Sequence, residues 1–422
     1  MRTLVLGAGV SGRAAARLAV RLGHRVLVYD RNPVIDLADV AVVSGVWDPL
    51  TLQGIDLVVA SPGFGDRSAP ITDGLEAGVE VIGEVEFAWR EIHAPTVAVT
   101  GTNGKTTVTT LISDMLTASG LRAPALGNIG TPVSDWTSEE LDVLVLEMSS
   151  FQLRFIDRFH ASVAVVTNVA ADHLDWHGSV AGYREAKARI VANQSAEDVV
   201  VFDALDDGAT AVAARSAATQ VGVSVDGSTA VGVVDEELVW DGLAVPLSAL
   251  AVDDSVYHTD LALAGAAALA MGADPDAVAG VARSFTPGAH RRQVVFESSG
   301  VRWVDDSKAT NPHAALAAIS SYPSVVLIAG GLAKGLDISP LAIAPGVKAV
   351  VAIGESAPVL LEAAGPRGHA AGSMIEAVDI ARSIATSGDV VLLAPGCASY
   401  DMFESYAARG DAFAAAARSE TL

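Results

Sequence analysis

The stretch VAVTGTNGKTTVTTLISDML, residues 97–116, decides how this chain is read. The β-branched run that starts at Thr96 predicts a buried strand, and Val108, Leu111, Ile112, Met115 and Leu116 recur at helical spacing. Between them Gly101, Asn103 and Gly104 predict a tight loop. A strand, a glycine loop and a helix in that order present free N–H groups at a helix start, where the dipole favours an anion. Lys105 adds a cation and Thr106 a hydroxyl, the residue types that meet the terminal phosphates and Mg²⁺ of a nucleoside triphosphate. The loop is a shortened variant of Gly-x4-Gly-Lys-Thr, because the first glycine of that pattern would fall at Val99. An ordinary glycine-rich helix start is the alternative reading.

Outward from this segment, short Val/Leu/Ile runs alternate with Ala-rich helical stretches along the whole chain, which predicts an α/β fold of parallel strands and crossover helices. A first module spans residues 1–92. It opens with a strand at Thr3 to Leu6, the turn Gly7-Ala8-Gly9-Val10-Ser11-Gly12, and a helix whose apolar face is Ala15, Leu18, Ala19 and Leu22, closed by Gly23. The next strand ends at Asp30. That turn either holds a phosphate-bearing nucleotide or serves tight packing of helix on strand. His93 to Pro95 reads as a linker into a central module, residues 93–287, whose later part VGVVDEELVWDGLAVPL predicts a small β-hairpin region. Thr286 to Gly288 marks a second boundary. Residues 288–422 then read as another open parallel sheet of nucleotide-binding topology. The expected architecture is α/β in three domains: N-terminal Rossmann-like, central P-loop ATPase-type and C-terminal Rossmann-like.

With 422 residues, half of them hydrophobic, the chain has material for several cores, and extensive disorder is excluded. Its 27 basic against 50 acidic side chains give a net charge of −23. Such a field repels nucleic acid and anionic membrane surfaces, so an anionic ligand has to be held by local donors. Cys397 is the single cysteine, which excludes an intrachain disulfide and fits a cytoplasmic setting. Arg13, Arg17 and Arg21 interrupt the N-terminal apolar run too early for a secretory signal, and no apolar stretch is long enough to cross a bilayer.

Other candidates cluster around the predicted loop. A strand DVLVLE ends at Glu147, where a P-loop needs a metal-binding acid, although acids commonly end strands. The following strand runs into Asn168, Asp172, His173, Asp175 and His177, which suggests a second metal position or surface capping. Lys187 falls on the inward face set by Tyr183, Ala186, Ile190 and Gln194. It is there either a desolvated, reactive amine or a lysine whose head reaches water. In the third module Asp306-Ser307-Lys308-Ala309-Thr310-Asn311 follows a strand and precedes a helix opening at Pro312. Lys334 and Ser399 take matching places on later strands, so three loops would converge on one crevice or be mere turns.

Taken together, TGTNGKTT, GNIGTP (127–132), EMSSFQL (147–153), NVAADHLDWHG, DSKATNPHA and PGCASYDMFESYAARG resemble the Mur ligases of peptidoglycan synthesis over nearly the whole chain. DSKATN and the CAS segment point to the branch that adds D-glutamate. The resemblance implies an ATP-dependent amide ligase whose donor is UDP-N-acetylmuramoyl-L-alanine, working as a monomer with two Mg²⁺ ions. It implies that Gly9, Val10, Ser11, Gly12, Asp30, Arg31 and Ser61 line a UDP-sugar pocket, and that Asn128, Ser149 and His173 sit at the muramoyl part. ATP would be held by Gly101, Thr102, Asn103, Gly104, Lys105, Thr106, Thr107, Arg291, Asp306 and Lys308. D-glutamate would face Thr310, Lys334, Ser399 and Tyr406. The metals would be held by Thr106, Glu147, His173 and Lys187 once carbamylated, and catalysis would fall to Lys105, His173, Lys187 and Lys308.

Two departures stand out. Where relatives carry Asn after a histidine to contact adenine, His258 is followed here by Thr259 and Ala262, and an acid usual after paired glycines is replaced by Leu332. A carboxylate is anionic and lacks a good leaving group, so ATP has to activate it before an amine can attack. Closure of the third module onto the second is expected before chemistry. Three rivals remain. A folylpolyglutamate synthase would lack the N-terminal module, a nicotinamide-dependent oxidoreductase would not need the loop at Lys105, and a nucleotide sensor would lack turnover.

Overall fold

The Val/Leu/Ile runs pair into three sheets among the described residues of the computed structural model, which covers residues 1–33, 37 and 40–419, with the backbone alone at 175. The first sheet is wholly parallel, in the order Ala41–Ser44, Arg25–Asp30, Arg2–Leu6, Leu57–Ala60, Glu80–Gly83. Its first two strands in sequence flank the helix Val10–Arg21, which buries Ala14, Ala15, Leu18 and Ala19. The apolar face read from the sequence runs one residue too far: the helix ends at Arg21, and Leu22 is partly exposed in its cap.

The second sheet has nine strands. Its parallel core runs Thr219–Ser224, Val199–Asp203, Val163–Val166, Thr96–Thr100, Leu144–Glu147, Ala125–Gly127. At the other edge Val231–Val234, Glu237–Trp240 and Leu243–Pro246 form the expected antiparallel meander. Trp240 is fully buried there and donates its indole N–H to the Ala262 carbonyl at 2.9 Å, on the long helix Ser255–Ala270. A Cβ on Gly265 would fall 2.4 Å from that indole, so only glycine allows the close approach.

The third sheet runs Gln293–Ser298, Val301–Asp305, Val390–Leu393, Val325–Gly330, Val347–Ile353, Gly368–Ala370. It is not wholly parallel as expected, because Gln293–Ser298 is antiparallel to its neighbour. The cause is local. Ser299 and Gly300 both have positive φ and close a two-residue hairpin, which can join antiparallel strands only.

Contacts group the chain into two units, Met1–Val169 with Ala181–Phe285, and Ala170–Val180 with Thr286–Leu422. The first unit holds the five- and nine-stranded sheets. They share one apolar cluster, and buried Glu86 accepts backbone N–H bonds from Asp157, Arg158 and Phe159 across it. Among the described residues no helix is long and apolar enough to cross a membrane.

Candidate active site

The loop after Thr96–Thr100 is shaped by contacts that forbid larger residues. A Cβ on Gly101 would lie 1.8 Å from Thr167 Oγ1, and one on Gly104 would lie 2.7 Å from Asp260 Oδ1. Gly104 also has φ +80, and it precedes the helix Lys105–Ala118. Asn168 pins the loop twice: its carbonyl accepts from Thr102 N–H at 2.8 Å and its side-chain oxygen from Asn103 N–H at 2.9 Å. Lys105 curls over the loop and donates to the Gly101 and Thr102 carbonyls at 2.9 and 3.0 Å. Thr106 lies half-buried in the first helical turn, with Thr107 buried behind it.

Beside the loop, Val99 pairs with Glu147 across the sheet, which brings that buried carboxyl to the same strand ends. Its Oε1 accepts from Asn128 Nδ2 at 2.7 Å, whereas its Oε2 is buried with no protein donor. A buried carboxylate oxygen without a hydrogen bond is costly, and a cation removes that cost. The position therefore fits a cation such as Mg²⁺. Lys187 is buried as its spacing predicts, donates to the Gly101 carbonyl at 2.6 Å and lies 4.7 Å over the Tyr183 ring. Its head points into the loop and does not reach water. Ser149 caps the helix Ser150–Leu153 in a reciprocal box with Gln152.

At the N-terminal turn, the glycines serve close packing of helix on strand. A Cβ on Gly12 would lie 1.9 Å from the Gly7 carbonyl oxygen, so this glycine serves close packing of helix on turn. Asp30 accepts from the Ala8 and Asn32 N–H groups at 2.7 and 2.9 Å and so braces the turn itself. Gly9 caps the helix, Ser11 is half-buried, and Val10 stays 74% exposed at the helix start. Arg31 lies over the Phe64 ring, and Ser61 Oγ is buried beside Gly7 with no protein partner.

In the second unit the strand Val301–Asp305 delivers the DSKATN residues. Lys308 Nζ sits 4.0 Å over the Tyr406 ring. Thr310 is half-buried and Ser399 buried, while Lys334 adopts a left-handed conformation with φ 53. Leu332 is held by paired backbone bonds to Ala398. His173 belongs to this unit, whereas Thr106, Glu147 and Lys187 belong to the first. The Asp175 side chain lies outside the described residues. His290 and Arg292 are both left-handed, at φ 60 and 51, and flank Arg291. The strain is held by His290 Nδ1 against Asp305 at 2.7 Å and by Arg292 N–H against Asp306 at 3.3 Å.

Burial pushes the Asp306 carboxyl up to about 6, against the pull of Arg292 and Arg291. The folded chain thus keeps a proton here that the unfolded chain releases near its ordinary value of about 4. This contribution to stability is complete below pH of about 4, is lost as the pH rises to about 6, and is level above that. Urea midpoints measured from pH 4 to 7 check this: Asp306→Asn is expected to remove that part of the slope.

Several contacts were not legible in the sequence. Asp260, one residue beyond the Thr259 departure, is buried against Gly104. Arg409 is buried too, and donates to Ser307 Oγ and the Ser307 carbonyl at 2.9 Å each and to the Cys397 carbonyl at 3.0 Å. Its burial lowers its pKa to about 10, so it remains charged at neutral pH. Both lie on Ala-rich helices, and Arg409 falls within the PGCASYDMFESYAARG segment, but nothing local in the sequence names their partners.

Residues 1–83 match the Mur ligase MurD-like N-terminal domain, residues 99–265 the Mur ligase middle domain, and residues 290–397 the Mur ligase glutamate ligase domain. The UDP-N-acetylmuramoylalanine-D-glutamate ligase of Frankia casuarinae is 42% identical over 98% of this chain and 93% of its own length. The protein of the same name from Pelotomaculum thermopropionicum is 38% identical over 98% and 96%. Among solved structures, a pseudomurein peptide ligase type C from Methanothermus fervidus shares the fold, with a TM-score of 0.60 and 18% identity over 94% of this chain and 97% of that one. Three domain matches in order and relatives this similar over nearly the full length show that the chain belongs to the Mur ligase family.

Proposed function

We infer that this chain is an ATP-dependent ligase that joins D-glutamate to UDP-N-acetylmuramoyl-L-alanine in peptidoglycan precursor synthesis. The observation that carries the reading is its near-full-length similarity to ligases that bear that name. We assign residues 1–92 to the UDP-sugar, 93–287 to ATP and 288–422 to the incoming amino acid. In this reading Val10 offers an exposed apolar contact to the uridine, Ser61 Oγ offers a buried hydroxyl, and Asn128 and Ser149 face the muramoyl part.

The first bond to form joins the alanyl carboxylate oxygen to the γ-phosphorus of ATP, and ADP leaves. The product is an acyl phosphate, whose carbonyl is now a competent electrophile. The neutral amine of D-glutamate attacks that carbonyl, the tetrahedral intermediate sheds inorganic phosphate, and the amine's surplus proton is lost. Lys105 provides a fixed cation at the loop where the phosphates enter, and Lys308 provides a second from the C-terminal unit. Lys308 is held above the Tyr406 ring, which limits its freedom before substrate arrives. Thr310, Lys334 and Ser399 take the carboxylates of D-glutamate. Positioning of the reactants contributes roughly 7 to 11 kcal/mol at best.

Mg²⁺ would be held by Thr106 and Glu147, and Lys187, if its amine is carbamylated, would offer a further oxygen ligand from the same unit. When bound, the ions offset the charge of converging phosphate and carboxylate oxygens. The chain carries this out as a monomer in the cytoplasm.

The test is phosphate release from ATP in the presence of UDP-N-acetylmuramoyl-L-alanine, comparing D-glutamate with L-glutamate, L-lysine and diaminopimelate. Release that depends on D-glutamate is expected. Dependence on any of the other three acceptors would overturn the assignment.

A further inference from the structure

We propose that Asn311 is a positioning residue that ties the His173 segment to the loop following the strand Val301–Asp305. The inference goes beyond the function given above but rests on the placing of His173 in the reaction that the family resemblance implies. Residues Ala170–Val180 leave the unit of their sequence neighbours and group with Thr286–Leu422. Within that second unit Asn311 Nδ2 donates to Asp172 Oδ2 at 3.4 Å, and both side chains are buried. The other oxygen of Asp172 accepts the His173 backbone N–H at 2.8 Å. His173 itself is left-handed, at φ 50, a conformation that a non-glycine residue holds only when its surroundings fix it. Asp172 is such a fixture, and Asn311 holds Asp172.

The chemistry of the amide explains why asparagine serves here. Its oxygen caps the helix Pro312–Ser320 by accepting from Ala314 N–H at 2.9 Å, while its NH₂ reaches the carboxylate. Aspartate would keep the cap but place one carboxylate against another. Serine would keep the cap but is too short to reach Asp172. The residue next to Thr310, at the D-glutamate loop, thereby sets the backbone of His173. Occupation of that loop and the posture of the histidine become one structural event.

The test is an exchange of donor and acceptor. Asn311→Asp is expected to lower kcat by about tenfold to about a hundredfold, the range that a hydrogen bond to a charged group commands. KM for ATP should stay near the parent value; the cap survives, and the urea midpoint falls only through repulsion between the two buried carboxylates, which the exchange below removes. The double variant Asn311→Asp with Asp172→Asn restores the bond in reversed polarity, and its kcat should return to within about threefold of the parent. Asn311→Ser, which keeps the cap alone, should show the same loss as Asn311→Asp and covers the case where that variant folds poorly. The proposal is overturned if the single variants stay within about twofold of the parent, or if the exchange recovers nothing. His173→Ala separates the two readings. Full activity in that variant would remove the placing of His173 in the reaction, whereas its inactivity alongside unimpaired Asn311 variants would remove the tie alone.

Discussion

Replacing Lys105 with alanine should lower ATP-dependent phosphate release by at least about 10²- to 10³-fold, the loss typical when one preorganised charge-stabilising donor is removed. The fold should survive, because the Gly101 and Thr102 carbonyls that the ammonium meets belong to its own loop and can turn to water. Steady-state turnover together with a urea midpoint checks both parts. The arrangement makes the test sharp, since Lys187 donates to the same Gly101 carbonyl from the buried side. If the variant kept a tenth or more of the parent turnover, the role given to Lys105 would be wrong.

The largest effect on stability is expected at Arg409. Exchanging it for leucine removes three hydrogen bonds and orphans the Ser307 and Cys397 carbonyls in the interior of the second unit. With about 1 to 3 kcal/mol for each buried group left unsatisfied, the loss should reach about 3 to 5 kcal/mol. Arg409→Lys should recover only part of it, because a single ammonium cannot span both carbonyls as a planar guanidinium does. Urea unfolding followed through Trp303, on a strand of that unit, measures the change. A shift below about 1 kcal/mol would mean that the carbonyls find other donors.

The features legible in the sequence were those fixed by neighbours close along the chain. The loop at Gly101 to Lys105 could be read because strand, glycines, lysine and helix occur within twenty consecutive residues. The inward face of Lys187 followed from helical spacing, and the hairpin region around Trp240 from the single stretch VGVVDEELVWDGLAVPL. Features that depend on distant packing were not legible. Nothing near Asp260 indicates that it meets Gly104, more than 150 positions earlier, and nothing near Asp172 indicates that its partner is Asn311. The antiparallel edge strand Gln293–Ser298 was missed for a different reason. Its direction is set by the two-residue Ser299-Gly300 hairpin, whereas the strands after it pair in parallel.

The contact of Trp240 with Gly265 sets the depth at which the helix Ser255–Ala270 lies against the nine-stranded sheet. That same helix carries Asp260 to the loop at Gly101–Lys105. The meander contributes no side chain to the chemistry, yet it acts as the stop against which the helix rests. A bulkier residue at 265 or a smaller one at 240 would displace Asp260 relative to Gly104, so natural variants that change ATP affinity are to be sought in this remote wall as well as in the pocket itself.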